Sequence, residues 1–150
     1  MPNTHPPDDP FRLTRFVAAQ DPIWPGPLLE IRAGRKRSHW MWYVFPQIAG
    51  LGRSETARHY AIASLDEARA FLAHPTLGAR LREIARAVAD LPNRSARDVF
   101  GFPDDLKLRS SLTLFDMVEP NRVFAQALDH VFAGERDGET LRLLNREARR

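Results

Sequence analysis

The chain has no cysteine among its 150 residues. Disulfides, thiolate metal sites and cysteine nucleophiles are thereby excluded, and nothing hints at an oxidising compartment. Long apolar runs are also missing, since none approaches the roughly 20 residues needed to span a bilayer. Residues 1–9 are polar and proline-rich, without the basic stretch and apolar run of a secretory signal, so a cytoplasmic protein with no membrane partner is expected. The histidines at 5, 39, 59, 74 and 130 form no H-x-x-x-H pair and no acid–histidine motif, so neither a metal nor another cofactor is expected.

Lysine is scarce as well. Of 22 cations only Lys36 and Lys107 are lysine, and the remaining 20 are arginine. Such a bias suggests a GC-rich coding sequence in which lysine persists where a compact ammonium is required and the wide guanidinium fork does not serve. The cations face 19 carboxylates, mostly interleaved with them, so the sequence pI of 9.9 overstates the basic character of a chain of net charge +3. Only Arg35-Lys36-Arg37 and the tail over residues 142–150 concentrate positive charge. A nucleic-acid partner, which calls for one basic face, is not expected.

What is present is ordinary globular composition, 43% hydrophobic and 27% charged, on a chain long enough to bury one core. The punctuation by proline and glycine predicts an all-α fold: a compact single-domain bundle of about seven to eight short helices with no significant sheet, over residues 9–150, after a disordered tail over residues 1–8. Asp8-Asp9-Pro10 reads as an N-cap and first-turn proline, opening a helix to about Ala19 with Leu13, Phe16 and Val17 on its apolar face. A second helix starts near Pro25 or Pro27, stops at Gly34 and buries Leu28, Leu29 and Ile31. Ser64-Leu65-Asp66-Glu67 is a capping box for a helix carrying Ala68, Phe71 and Leu72, which ends before Pro75. From Thr76 to Leu91 the stripe of Leu77, Leu81, Ile84, Ala85, Val88 and Leu91 is the clearest helical signal in the chain. Pro103-Asp104-Asp105 opens another helix, its carboxylates favourable to the helix dipole. Pro120 ends it and starts the next, with Val123, Phe124, Ala127, Leu128, Val131 and Phe132 buried before Gly134. A last helix over residues 139–149 packs Leu141 and Leu144, and only residues 41–45 look strand-like.

Two segments carry the chemistry. In the first, Arg35-Lys36-Arg37-Ser38-His39 directly precedes Trp40-Met41-Trp42-Tyr43-Val44-Phe45. Cations, a hydroxyl and an imidazole suit a phosphate or carboxylate, and aromatic faces suit a planar base, although closely spaced aromatics also commonly serve as core. Gly50 and Gly52 then form a turn before Ser54, a helix cap, and His59 and Tyr60 on the following short helix could face the first segment. No β-α-β context surrounds this glycine pair, so a dinucleotide fingerprint is excluded. In the second segment Lys107, Ser110 and Ser111 fall at i, i+3 and i+4 on one helix face beside Leu108, Leu112 and Phe115. Hydroxyls inside a helix compete for its backbone, so either close helix packing or a polar site should offset their cost.

Several of these residues together are similar to a known bacterial family. Asp9-Pro10-Phe11 with Arg15-Phe16-Val17 and Gln20, the run from Gly34 to Gln47 with its Ser38-His39-Trp40-Met41-Trp42 core, Gly50-Leu51-Gly52, Tyr60-Ala61-Ile62, His74-Pro75 with Leu77-Gly78, and Lys107 with Ser110-Ser111 and Thr113-Leu114-Phe115 resemble the domain-of-unknown-function family 1810. The resemblance spans about Asp9 to Leu144 and implies a small, compact, all-α cytosolic protein without implying a reaction. Members are sometimes labelled calpastatin, but these residues carry nothing that supports protease inhibition. A looser likeness is to the helical NADAR family, which processes ADP-ribose derivatives. Arg58-His59-Tyr60 stands where that family has Glu-His-Tyr, and the replaced glutamate is the acid its glycosidase chemistry uses.

The sequence therefore leads to one expected ligand site, for a phosphorylated, nucleotide-like small molecule. It would be built from Arg35, Lys36, Ser38, His39 and Trp42 on one side and Lys107, Ser110 and Ser111 on the other. The alternative is an interaction protein that docks a partner through residues 40–45, and a cleft rather than a flat aromatic patch separates the two.

Overall fold

Where apolar residues recur every three or four positions the chain is helical, as the computed structural model shows for residues 9–148. The tail expected over residues 1–8 lies outside the described residues. Ten helices follow in order: α1 Thr14–Gln20, α2 Gly26–Arg32, α3 Met41–Val44, α4 Glu55–His59, α5 Leu65–Ala73, α6 Pro75–Ala89, α7 Ala96–Phe100, α8 Asp104–Val118, α9 Val123–Phe132 and α10 Gly138–Ala148. The count exceeds the expected seven to eight because α3, α4 and α7 run for only 4 or 5 residues, too short to show a period.

Helix α6 lies against α9, α2 and α5, and α8 packs on α9, α5, α7 and α10, so these two 15-residue helices organise one shared core. Leu77, Leu81, Ile84, Ala85, Val88 and Leu91 are all buried, as their spacing requires. The approach of α5 to α6 is close: a Cβ on Gly78 would lie 2.1 Å from the Leu72 carbonyl oxygen. The Ser64 hydroxyl caps α5 by accepting from Glu67 N at 3.1 Å, while Glu67 reaches back to Ala63 N at 3.0 Å and pairs with Arg15 at 2.8 Å. The far end of the chain seals the same helix end, where the Glu147 carboxylate accepts from Leu65 N at 3.0 Å.

Four local expectations need correction. Of residues 41–45, Met41–Val44 are helical rather than extended, because Met41 and Val44 point inward three positions apart while Trp42 and Tyr43 do not. Helix α1 begins at Thr14 rather than at Pro10, since Arg12 has φ 54° and turns the chain; Asp9 still serves the helix end by accepting from Leu13 N at 2.7 Å and from Thr14 Oγ1 at 2.6 Å. Leu29 and Leu141 are exposed, because Leu28 with Ile31 and Thr140 with Leu144 already fill the inner faces of α2 and α10. Phe132 is only half-buried at the end of α9, where Ala133 and Gly134 both take positive φ.

Within the described residues the only strand-like pairing is a parallel bridge between Ile48 and Ile62. Ala49 N donates to Ile62 O and Ile62 N to Gln47 O, each at 2.8 Å. This clasp holds the segment after α3 against the segment after α4, and it sets the two walls of the groove described next.

Candidate functional site, an aromatic groove

A single carboxylate organises the chain ahead of α3. Glu30 Oε1 accepts from Arg37 N at 2.7 Å, Ser38 N at 3.0 Å and Trp40 Nε1 at 3.0 Å, and Oε2 accepts from Ser38 Oγ at 2.7 Å. Burial alone would raise the Glu30 pKa, but these four hydrogen bonds together outweigh it and hold the carboxyl below its ordinary value. Trp40 is thereby fixed in the core, 1% exposed, and the 4-residue helix that follows turns Trp42 and Tyr43 toward the surface. Gln20 Nε2 donates to Tyr43 O at 2.7 Å and ties this helix to α1.

Opposite stands the end of α4. Ser54 caps it through Ala57 N at 3.1 Å, and a Cβ on Gly52 would fall 2.5 Å from that of Ala57, so the glycine turn is there for close packing. The Tyr60 ring lies 5.3 Å from Tyr43 and 4.6 Å from His59, centroid to centroid. Trp42, Tyr43, Glu55, Thr56, His59 and Tyr60 together line an open groove of 530 Å³. Both tyrosines of the chain thus meet in it. Burial, with the neighbouring Tyr60, raises the Tyr43 pKa and keeps its phenol protonated at neutral pH.

The groove shares wall residues with two further cavities. His59 also lines a 360 Å³ basin with Arg12, Arg15, Arg58 and Glu67. Arg15 is committed there, donating to His59 O at 2.9 Å and Ala61 O at 3.1 Å and pairing with Glu67. Arg12 and Arg58 are exposed and form no ion pair with another described residue. Tyr43 also lines a 240 Å³ pocket with Ile23, Gly26, Pro27, Glu30, Ser38, His39 and Trp40.

The residues expected to form the site divide between these places. Trp42, Ser38 and His39 reach the groove or its adjoining pocket, whereas Arg35 is exposed outside the lining of both. Lys36 and Lys107 do converge, on one carboxylate: Asp104 lies 2.8 Å from Lys36 Nζ and 3.6 Å from Lys107 Nζ. Lys107 also sits 5.3 Å from the Trp42 ring centroid, and so flanks the groove wall. Ser110 and Ser111 are not brought to the groove, being 5% and 0% exposed inside the bundle. Ser110 Oγ donates to Leu106 O at 3.1 Å, and Thr113 Oγ1 donates to Arg109 O while accepting from Asp137 N. Ser110 and Thr113 are thus served by carbonyls of the preceding helical turn, whereas the buried Ser111 Oγ has no hydrogen-bond partner among the described residues. Tyr43, His59, Tyr60, Arg12 and Arg58 were outside the expected ligand set; the signals toward them were the place of Tyr43 in the aromatic run, the possibility that His59 and Tyr60 face the first segment, and the Arg58-His59-Tyr60 likeness.

Comparison with known proteins agrees with the architecture. A family model described as "Protein of unknown function (DUF1810)" matches residues 10–144. No curated protein matches the chain. The crystal structure of a conserved hypothetical protein, Rv1873 from Mycobacterium tuberculosis, superposes with a TM-score of 0.89 at 49% identity, covering 91% of this chain and 99% of the other.

Proposed function

The chain belongs to the DUF1810 family, and we propose that it binds a nucleotide-like small molecule, its planar base in the Trp42–Tyr60 groove and its phosphate at Arg12 and Arg58. One observation carries the reading: four ring side chains from two separate segments line a single groove that shares His59 with a basin holding two arginines that form no ion pair among the described residues. Aromatic faces hold a planar ring by stacking, and guanidinium forks hold phosphate oxygens in pairs. Lys36 and Lys107 are the weaker candidates for the phosphate because both already pair with Asp104, although Lys107 remains beside Trp42. A partner docked through residues 40–45 is less well supported, since Trp40, Met41, Val44 and Phe45 are buried and leave only Trp42 and Tyr43 to meet it.

Titration of the full chain with AMP and with ADP-ribose, read by thermal shift, tests the reading. Ligand at about a hundredfold excess over its Kd should raise Tm by roughly 5 °C or more. Trp42→Ala should abolish the shift, and Arg58→Ala should weaken the phosphate-bearing ligand while leaving adenosine unaffected. Absence of any shift with these compounds, or shifts that survive both substitutions, would overturn it.

A further inference from the structure

The pocket at the Tyr43 end of the groove holds an unusual charge. Glu30 is kept ionised by neutral donors alone, two backbone N–H groups, a hydroxyl and an indole N–H. Among the described residues no cation lies within ion-pair distance of the Glu30 carboxylate: Arg32 pairs with Glu83 at 3.8 Å and Lys36 with Asp104 at 2.8 Å, while Arg35 and Arg37 are exposed. Oε1 already takes three donors, but Oε2 takes one, so acceptor capacity remains on Oε2. A carboxylate without a counter-ion, partly withdrawn from water, attracts a cation more strongly than an exposed one does. The 240 Å³ pocket around it is walled by Ile23, Pro27 and Tyr43, and an aromatic face beside a carboxylate suits an organic ammonium.

We propose that the Glu30 pocket is a subsite for an ammonium or amidinium group, so that the molecule accommodated by the groove carries a cationic donor on one side of its ring and an anion on the other. The subsite deepens the function proposed above and rests on it for the ring and the anion. Tyr43 is the shared wall, and it sets the order of parts along the ligand: ammonium against Glu30, ring between Trp42 and Tyr60, phosphate at Arg58. The pocket cannot take a second anion, which the Glu30 charge would repel.

The test uses the full chain and a matched probe pair, phenethylammonium and its neutral analogue 2-phenylethanol, titrated by calorimetry and by NMR shifts of the Ile23 methyl groups. The ammonium should bind at least about tenfold more tightly, which is about 1.4 kcal/mol, and should move the Ile23 signals. Glu30→Gln should reduce that preference to near unity. Because Glu30 also holds residues 37–40, Ile23→Arg serves as the second variant: it adds a like charge at the exposed rim, leaves the Glu30 hydrogen bonds in place, and should likewise erase the preference. Equal binding of the two probes by the unmodified protein, or a preference that persists in Ile23→Arg, overturns the subsite. AMP titrated in parallel separates this result from the groove reading: ammonium preference without AMP binding keeps the subsite and removes the nucleotide, and AMP binding without ammonium preference does the reverse.

Discussion

Lys36 places its ammonium 2.8 Å from the Asp104 carboxylate, with a lysine side chain only 6% exposed. The same ammonium donates to Ser38 O at 2.5 Å and lies 4.9 Å from the Trp40 ring centroid. Three acceptors converge on one point charge, a geometry that a planar guanidinium cannot reproduce in so enclosed a space. Lys36→Ala should therefore destabilise the fold by about 2 to 3 kcal/mol, because Asp104 is left partly buried without its main partner. Lys107→Ala, at a more exposed and longer contact, should cost under about 1 kcal/mol. Urea denaturation measures both, and equal costs would show that Asp104 does not depend on Lys36.

Acid should loosen the same region through Glu30. Its folded pKa is lowered, so its contribution to stability is present above the unfolded value near 4.5 and is lost as pH falls through the folded one. Asp9 is lowered as well, with burial opposing and hydrogen bonds from Thr14 and Leu13 prevailing, and it acts in the same direction. Comparison with Glu30→Gln isolates the Glu30 part: the variant should be less stable at pH 7 yet flatter in stability below pH 4.5. Parallel pH profiles for the two proteins would show that the carboxylate's charge is not what holds residues 37–40.

Gly78 offers a test of packing alone. A methyl group there would meet the Leu72 carbonyl oxygen at 2.1 Å, and backbone rather than a flexible side chain would have to move. Gly78→Ala should cost at least about 2 kcal/mol despite the better helix propensity of alanine. A neutral or stabilising result in urea would mean that α5 and α6 can separate freely.

The long helices were legible because their apolar stripes repeat over 10 to 15 residues, as Leu77 through Leu91 and Val123 through Val131 do. α3 was not, because the wholly apolar run of residues 41–45 shows no period that separates a strand from a single helical turn. The rarity of lysine singled out Lys36 and Lys107, which share the Asp104 carboxylate rather than a common cavity wall, a partner that composition could not reveal. Ser110 and Ser111 shared a face with Lys107 by spacing, but that face turns from solvent to core within one helical turn. Arg58 was marked in the sequence only through the Arg58-His59-Tyr60 likeness, and Arg12 not at all, since it reaches the basin by the turn at its own positive φ.

Trp40 and Trp42 should separate stability from binding. Trp40 precedes α3 and Trp42 stands in its single turn, and the two indoles lie in different environments. Trp40 is 1% exposed, packs near Phe45 and Phe100 at 6.3 and 6.4 Å, and donates to Glu30. Its removal deletes a large core side chain and leaves a carboxylate short of a donor, which should cost about 3 to 5 kcal/mol. Trp42 is half-buried, lines the groove and has Lys107 near its ring. Trp42→Ala should cost about 1 kcal/mol, since much of the ring already meets water. The binding consequences should run the other way. Trp42→Ala should lose AMP while keeping a native circular dichroism spectrum, whereas Trp40→Ala should bind AMP in proportion to the fraction that remains folded. Chemical denaturation with parallel AMP titration gives both quantities for each variant. If Trp42→Ala were destabilised as severely as Trp40→Ala, Trp42 would be a core residue like its neighbour, and the groove would lose its principal wall.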